Sequence, residues 1–502
     1  MIDLAPNQWQ GYTRSARLFL QLNKHETALK MLKLAMERIK ENDTKRRVEV
    51  EALKQQIVDS AKTLDERKHR HASRAYHGEK LPVEIFGEIF GLLVASDVTQ
   101  AIMVSHVCKH WRAVALSTPS LWRTLVLAKK DPARKTKEWI KRSQGQIREL
   151  CIRIKFEDSR VPLSSALLGF PWNHLRVCRL NNVSSLAVCK MLAGLHILSN
   201  LVELEDAGRG EVIKDIFQYR IPKSKLRFLT IRNRSLNWDI LSGFTHLESL
   251  VIKDSVLTLH GDVRRIMEFN PMLERIILDL IPVHSTVGNV LPLTMSHLTH
   301  LEIAGLSANN FCDITMPSLR ILRMTRVGAG VDTLLTSILK QGPSNLIELG
   351  VHSSYFTTSK LVSFLRAASS LEAFGLSFAD EQANAVVEAL ASNPSNLSPG
   401  SSSAPLENFT CPLLAHLELS SCPYLKTGPV VRLVKCRLPA ITPELSGDTP
   451  PANRGVTVVA QIETLIVDRC PLIEPEVLPW LRSKVRTVSC VYATKRDAQW
   501  RR

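Results

Sequence analysis

From about Ile147 onward the chain keeps returning to one motif: an apolar residue, a second three positions later and a third two beyond that. Strong copies begin at Leu226, Leu247, Leu273, Leu298, Leu319, Leu346, Leu371, Leu414 and Ile462, and weaker ones at Ile147, Leu175, Leu201 and Val485. Most starts lie 21 to 28 residues apart. A short strand that turns alternate apolar side chains inward cannot bury them alone, so units of this length become stable only by stacking on one shared core. The pattern predicts a long array of short strands over 140–490.

Alternation sends the third, fifth and seventh positions of each unit to the open, concave face. Those positions hold Arg232, Lys253, Arg275, Asp279, His300, Glu302 and Arg323 in the earlier units, then Glu348, His352, His416, Glu418 and Asp468. The first half of the face is expected to be basic and the second richer in acid and histidine. Arg232, Lys253, Arg275, His300, Arg323, His352 and His416 are the candidate substrate-binding residues, facing an acidic or phosphorylated segment. The plainer alternative is that the basic residues pair with Asp279 and Glu302 and only keep the surface solvated.

The repeat length and the Leu-x-x-Leu-x-Leu spacing resemble leucine-rich repeats. Cys422 and Cys470 each fall eight residues after a repeat start, at that family's Asn/Cys position, and are expected to be buried structural thiols. Two intervals are too long for one unit. Their surplus, near 392–412 and 438–456, is rich in Pro, Ser and Gly and reads as surface loop insertion. The final segment, 491–502, is a basic tail containing Trp500. Val327-Gly-Ala-Gly330 is a turn between repeats, with no phosphate-binding helix signature after it.

Upstream of the array, Tyr12, Ala16, Phe19 and Leu22, then Ala28, Leu32 and Ala35, recur at helical spacing on either side of a break at 21–24. This 1–40 segment resembles a tetratricopeptide-like helical hairpin. A charged helix or linker follows over 41–78, with Val50, Leu53, Ile57, Ala61 and Leu64 as its single apolar stripe and a basic end at 68–74. Next come Leu81-Pro82-x-Glu84-Ile85, Ile89-Phe90, Val107-Cys108-Lys109-x-Trp111-Arg112 and Pro119-Ser120-Leu121-Trp122. In order and spacing these residues resemble an F-box over 79–125. The expected fold class is α+α/β: an N-terminal helical hairpin and long helix, a three-helix F-box, then an α/β leucine-rich-repeat solenoid.

The F-box resemblance implies that Leu81, Pro82, Ile85 and Ile89 face the Skp1 adaptor, with Val107, Cys108 and Trp111 supporting the helices. It further implies a substrate-recognition subunit of an SCF-type ubiquitin ligase, joined through Skp1 to a cullin and a RING subunit. The order of hairpin, F-box and repeats resembles a fungal receptor class, from which the chain departs by showing a single helical repeat. Two alternatives stand beside that function. One is a Skp1-binding scaffold without ligase activity. The other is a chromatin- or nucleic-acid-associated adaptor, prompted by a net charge of +17 but lacking basic residues interleaved with aromatics.

At 502 residues, 45% of them hydrophobic, the chain is no disordered, collagenous or small disulfide-held protein. Its ten cysteines are dispersed without a CxxC pair, which favours reduced thiols. Asp3, Arg14 and Arg17 argue against a secretory signal, and no apolar run approaches the ~20 residues of a bilayer span. An intracellular protein, in nucleus, cytoplasm or both, is expected. His106 and His110 stand one helical turn apart but lack the glutamate of a zinc-protease motif. With no nucleophile–base pair, metal cluster or phosphate loop, a non-catalytic protein without metal or cofactor is expected.

Overall fold

The computed structural model describes residues 6–75, 81–128, 131–153, 167–181, 197–208, 223–233, 235–236, 241, 243–257, 263–281, 292–391, 409–438 and 459–491, without the side chains of 68–75 and of a few strand residues. Nearly all of both expected insertions, Cys189 and the tail beyond residue 491 lie outside the described residues. The chain divides into two compact units, Met1–Thr118 and Pro119–Arg502.

The first unit opens with α1 (Trp9–Gln21) and α2 (His25–Glu37), joined through Asn23 in a left-handed conformation. Ala16, Ala28 and Ala35 are fully buried between them, and their small side chains let the two helices approach closely. The helix α3 (Thr44–Ala75) places Val50, Leu53 and Ile57 in the same core. The charged stretch is thus a third wall of the hairpin rather than a plain linker, because its apolar stripe has somewhere to go.

The F-box helices follow as α4 (Val83–Ser96), α5 (Gln100–Val104) and α6 (Lys109–Ser117). The sequence suggests one helix running from Ala101 to Trp111, and here the structure differs. The chain turns at 105–107, where the Arg112 guanidinium donates to the Ser105 carbonyl at 2.8 Å. Cys108 is extended and caps α6, its Sγ accepting the Trp111 N–H at 3.4 Å. Cys108 and Val107 are consequently exposed instead of packed between helices.

The second unit begins with a 3-10 turn, Pro119–Trp122, whose Leu121 and Trp122 are buried. Trp122 meets Trp139 edge-on at 5.1 Å, and the Trp139 indole N–H donates to the Thr124 carbonyl at 2.9 Å. A strand starts two residues after each of the thirteen repeat starts, from Glu149–Ile152 to Thr487–Ser489, and each pairs in parallel with the next in chain order. One more strand, Thr124–Leu127, precedes them. Trp122, Leu125 and Leu127 have the repeat's own spacing, hidden because a tryptophan opens the unit.

Register keeps the inward positions aligned. Leu301, Leu322, Leu349, Phe374, Leu417 and Leu465 stand side by side on successive strands, and all are buried. Asn270 is fully buried between units, donating to the Phe244 and Ile266 carbonyls and accepting the Leu247 N–H. Eight of the units hold a left-handed residue at the eighth position: Asn233, Asp254, Gly305, Arg326, Ser353, Phe378, Ser421 and Arg469. In seven of them that turn carries the chain off the strand, while at Asp254 it makes an irregularity within the strand Ser249–Leu257. This is the N-terminal helices, F-box helices and long parallel sheet of a leucine-rich-repeat solenoid.

Candidate functional site

Two surfaces present residues singled out by the sequence. The first is α4, which is apolar nearly all round. Its aromatic side turns inward: Phe86 and Phe90 are buried, with Trp111 of α6 at 5.9 and 5.1 Å from their rings and His110 edge-on to Phe86 at 5.5 Å. Its aliphatic side faces solvent, with Ile85 45% exposed, Ile89 40% and Leu92 75%, and Leu81 and Val83 at its start are exposed too. Pro82 caps the helix N-terminus, where a missing N–H costs nothing. Ile102 and Met103 of α5 and Val107 in the following turn are exposed as well. An apolar set of this extent on an aqueous surface marks an interaction site. Trp111 packs on Phe86 and Phe90, Val107 is exposed, and Cys108 touches α6 only through the sulfur that caps it.

His106 and His110 are not a joint site. The His106 ring hydrogen-bonds the Arg112 guanidinium at 3.4 Å, while His110 packs on Phe86. Among the described residues no group of His, Cys, Asp and Glu is placed to hold a metal ion, and no helix there is long and apolar enough to cross a membrane.

The second surface is the open face of the sheet. On the half expected to be basic, most of the arginines and the lysine stand near carboxylates of adjacent strands or of strands one further along. Arg179 bonds Glu149, Glu203 and Glu205, and Arg232 also reaches Glu205, at 3.7 Å. Lys253 reaches Glu302 at 3.9 Å, Arg323 holds Glu348 at 2.6 Å, and Arg326 holds Asp279 at 2.6 Å. Arg275 has no ion-pair partner among the described residues. His300 Nε2 stands 3.9 Å from Glu302, beyond hydrogen-bond distance, and this contact, with the charges of Lys253 and Arg323, holds that carboxyl below its usual range.

Further along the same face the structure gathers Arg323, His352 and His416 around a cavity of about 430 Å³. Glu302, Glu348 and Glu418 also line it. Its floor is Gly350 and Gly375, paired on adjacent strands, with the His352 imidazole lying over them. A Cβ on Gly350 would meet His352 Nε2 at 2.8 Å, and one on Gly375 would meet Cε1 at 2.9 Å. Only glycine admits the ring there. His352 Nδ1 hydrogen-bonds the Ser377 hydroxyl at 2.9 Å. Burial holds this imidazole below its ordinary pKa, against the opposing pull of Glu418. Arg232, Lys253, Arg275 and His300 do not line this cavity.

The glycine floor was not anticipated, although two successive units with Gly at the fifth position, Leu346-x-x-x-Gly350 and Leu371-x-x-x-Gly375, were its signal. Cys422 and Cys470 are fully buried as expected. Cys470 donates to the Leu419 carbonyl at 2.8 Å, and the hydrogen bond with Cys422, together with burial, pushes its thiol pKa far up.

The F-box-like family matches residues 79–128. No curated protein matches the chain. Among solved structures, a chain from the yeast Rad7–Elc1 complex is 14% identical, with a TM-score of 0.39, covering 87% of this chain and 98% of its own. A Leptospira interrogans LRR protein is also 14% identical, with a TM-score of 0.29, covering 73% of this chain and 100% of its own. The chain carries an F-box-like domain followed by a parallel-sheet, leucine-rich-repeat-like region.

Proposed function

We propose that the protein is the substrate-recognition subunit of an SCF-type ubiquitin ligase. The exposed aliphatic side of α4 carries this reading. The helix already seals its own core with Phe86 and Phe90, so Leu81, Pro82, Ile85 and Ile89 are left over for a partner, and in an F-box-like domain that partner is Skp1. Through Skp1 the chain would join a cullin and a RING subunit. Its contribution is effective concentration: a substrate held on the repeats stays beside the ubiquitin-loaded conjugating enzyme, and the receptor performs no chemistry. On the same reading the α1–α2 hairpin is a tetratricopeptide-like unit, as in the fungal receptor class, and the protein works inside the cell.

The test is reconstitution with purified Skp1, cullin and RING subunits. The wild-type chain should enter the assembly, and Leu81→Ala with Pro82→Ala should not. A double variant that still co-purifies Skp1 at the wild-type level refutes the docking assignment. Ubiquitylation of a bound protein in the reconstituted reaction separates a ligase receptor from a Skp1-binding scaffold.

A further inference from the structure

Three features of the open sheet face converge on the units between strands Ile321–Thr325 and Thr464–Ile466. The first is the cavity floored by Gly350, Gly375 and the His352 ring. The second is charge. Three carboxylates line the cavity; Arg323 holds Glu348, and Lys253, from outside the lining, reaches Glu302 at 3.9 Å, which leaves Glu418. Glu418 takes a hydrogen bond from the Ser420 hydroxyl at 3.2 Å and has no ion-pair partner among the described residues. His352 is kept neutral at physiological pH and so does not offset the acid. The space is a cation site in electrostatic terms, on a chain whose net charge is +17.

The third feature is a pair of exposed aromatics that follow the cavity's strands in the chain and do not themselves line it. The loops leaving strands Glu348–His352 and Ala373–Ser377 present Tyr355, 82% exposed, and Phe378, 53% exposed. Phe378 occupies the left-handed eighth position with φ +55°, where other units place Asn, Asp, Ser, Arg or Gly. A bulky residue is strained there, and with half its surface in water its own burial does little to offset that. Rigid aromatics beside a concavity are what binding hot spots consist of.

We propose that this cavity seats a basic side chain, arginine or lysine, of a captured protein segment, with Tyr355 and Phe378 covering the residues that flank it. A guanidinium or ammonium fits because Glu418 and Glu302 supply acceptors and the His352 ring supplies a flat apolar surface beneath. Phosphate-bearing ligands are repelled by the same carboxylates. Identifying the segment as a ubiquitylation substrate rests on the function proposed above; the cavity's preference for a cation does not.

The experiment uses the full-length chain bound to Skp1 and an array of ten-residue peptides with randomised flanks and Arg, Lys, Gln or Glu fixed at the centre. Net charge alone favours the Glu-centred peptides, so a basic preference cannot arise from it. Wild type should bind the Arg- and Lys-centred sets at least about tenfold more tightly than the Glu-centred set, a difference of about 1.4 kcal/mol. Glu302→Gln with Glu418→Gln, an isosteric change on part-buried positions, should erase most of that ratio. Phe378→Ala should weaken the basic sets several-fold. A ratio at or below one in wild type, or a ratio unchanged in the Gln variant, overturns the proposal. Failure of the wild type to hold Skp1, with the basic preference intact when the chain is assayed alone, would instead defeat the ligase reading.

Discussion

The α4 face and the sheet face are both exposed, yet they solve exposure differently. On α4 the outward residues are aliphatic and have nothing of their own to pair with, so the face stays unfavourable until a partner covers it. On the sheet the outward residues are charged and mostly satisfied within the molecule, Arg323 by Glu348 and Arg326 by Asp279. An apolar face binds strongly with little discrimination, which suits one constant adaptor. A neutralised charged face binds nothing strongly except where its balance is broken, and around Glu418 it is. On the proposed function, the first face is the constant docking surface and the second the selective one.

The largest effect should come from emptying the core beneath the sheet face. Phe374 is buried between Leu349 and Leu417 on adjacent strands, so Phe374→Ala leaves a cavity and should cost about 3–5 kcal/mol. Chemical denaturation followed by circular dichroism measures it. Skp1 capture should survive, since α4 belongs to the other unit. Loss of both together would mean that the two faces are not independent.

Next comes the α4 face itself. Ile85→Asp with Ile89→Asp places two charges where a partner must exclude water. Skp1 affinity should fall at least about a hundredfold, or near 3 kcal/mol, while the melting temperature stays put because both side chains are exposed. Titration calorimetry with purified Skp1 reads the loss. A matching drop in thermal stability would show that these isoleucines belong to a core, and the contrast with the sheet would disappear.

How far the sequence carried these two faces differs in an instructive way. The starts of the thirteen units from Ile147 to Val485 were legible because inward apolar positions repeat along the chain. The array's first strand was not, since Trp122 stands where a leucine normally opens the unit. On α4 the positions were legible too, but the chain break at 105–107 was not. Helical spacing alone cannot show that Cys108 will cap α6 with its sulfur. The least legible property was the polarity of the sheet face. Listing Arg232, Lys253 and Arg323 by unit suggested a basic half, whereas cross-strand neighbours decide the field. Glu205, Glu302 and Glu348 become visible as partners only once the strands are set side by side.

A smaller effect tests that last point. Arg323 is part-exposed, and surface ion pairs contribute about 0–1 kcal/mol, so Arg323→Ala should hardly alter stability. It nevertheless frees Glu348 in the cavity, and binding of Arg-centred peptides should rise by a few-fold. Weakened binding would make Arg323 a contact for an anionic ligand and return the face to an acidic partner.

The smallest effect expected is on pH dependence, and it separates the cavity from the rest of the sheet. His352 is held below the ordinary imidazole value mainly by burial, with Arg323 adding to the depression and Glu418, Glu348 and Glu302 opposing it. Because the folded pKa is depressed, the unfolded chain binds the proton more readily. Stability is therefore complete above about pH 6.5 and falls as the solution is acidified through that value. Glu302 is held below its usual range and stays ionised between pH 7.5 and pH 5.5, so the difference between wild type and His352→Asn over that interval reports the imidazole. The wild type should lose more stability over that interval than His352→Asn does. Over the same interval the protonated ring would add a positive charge to the cavity floor, and Arg-centred peptides should bind less tightly at pH 5.5 in wild type but not in the variant. Identical pH profiles for the two proteins, in stability and in peptide binding, would remove His352 from the site.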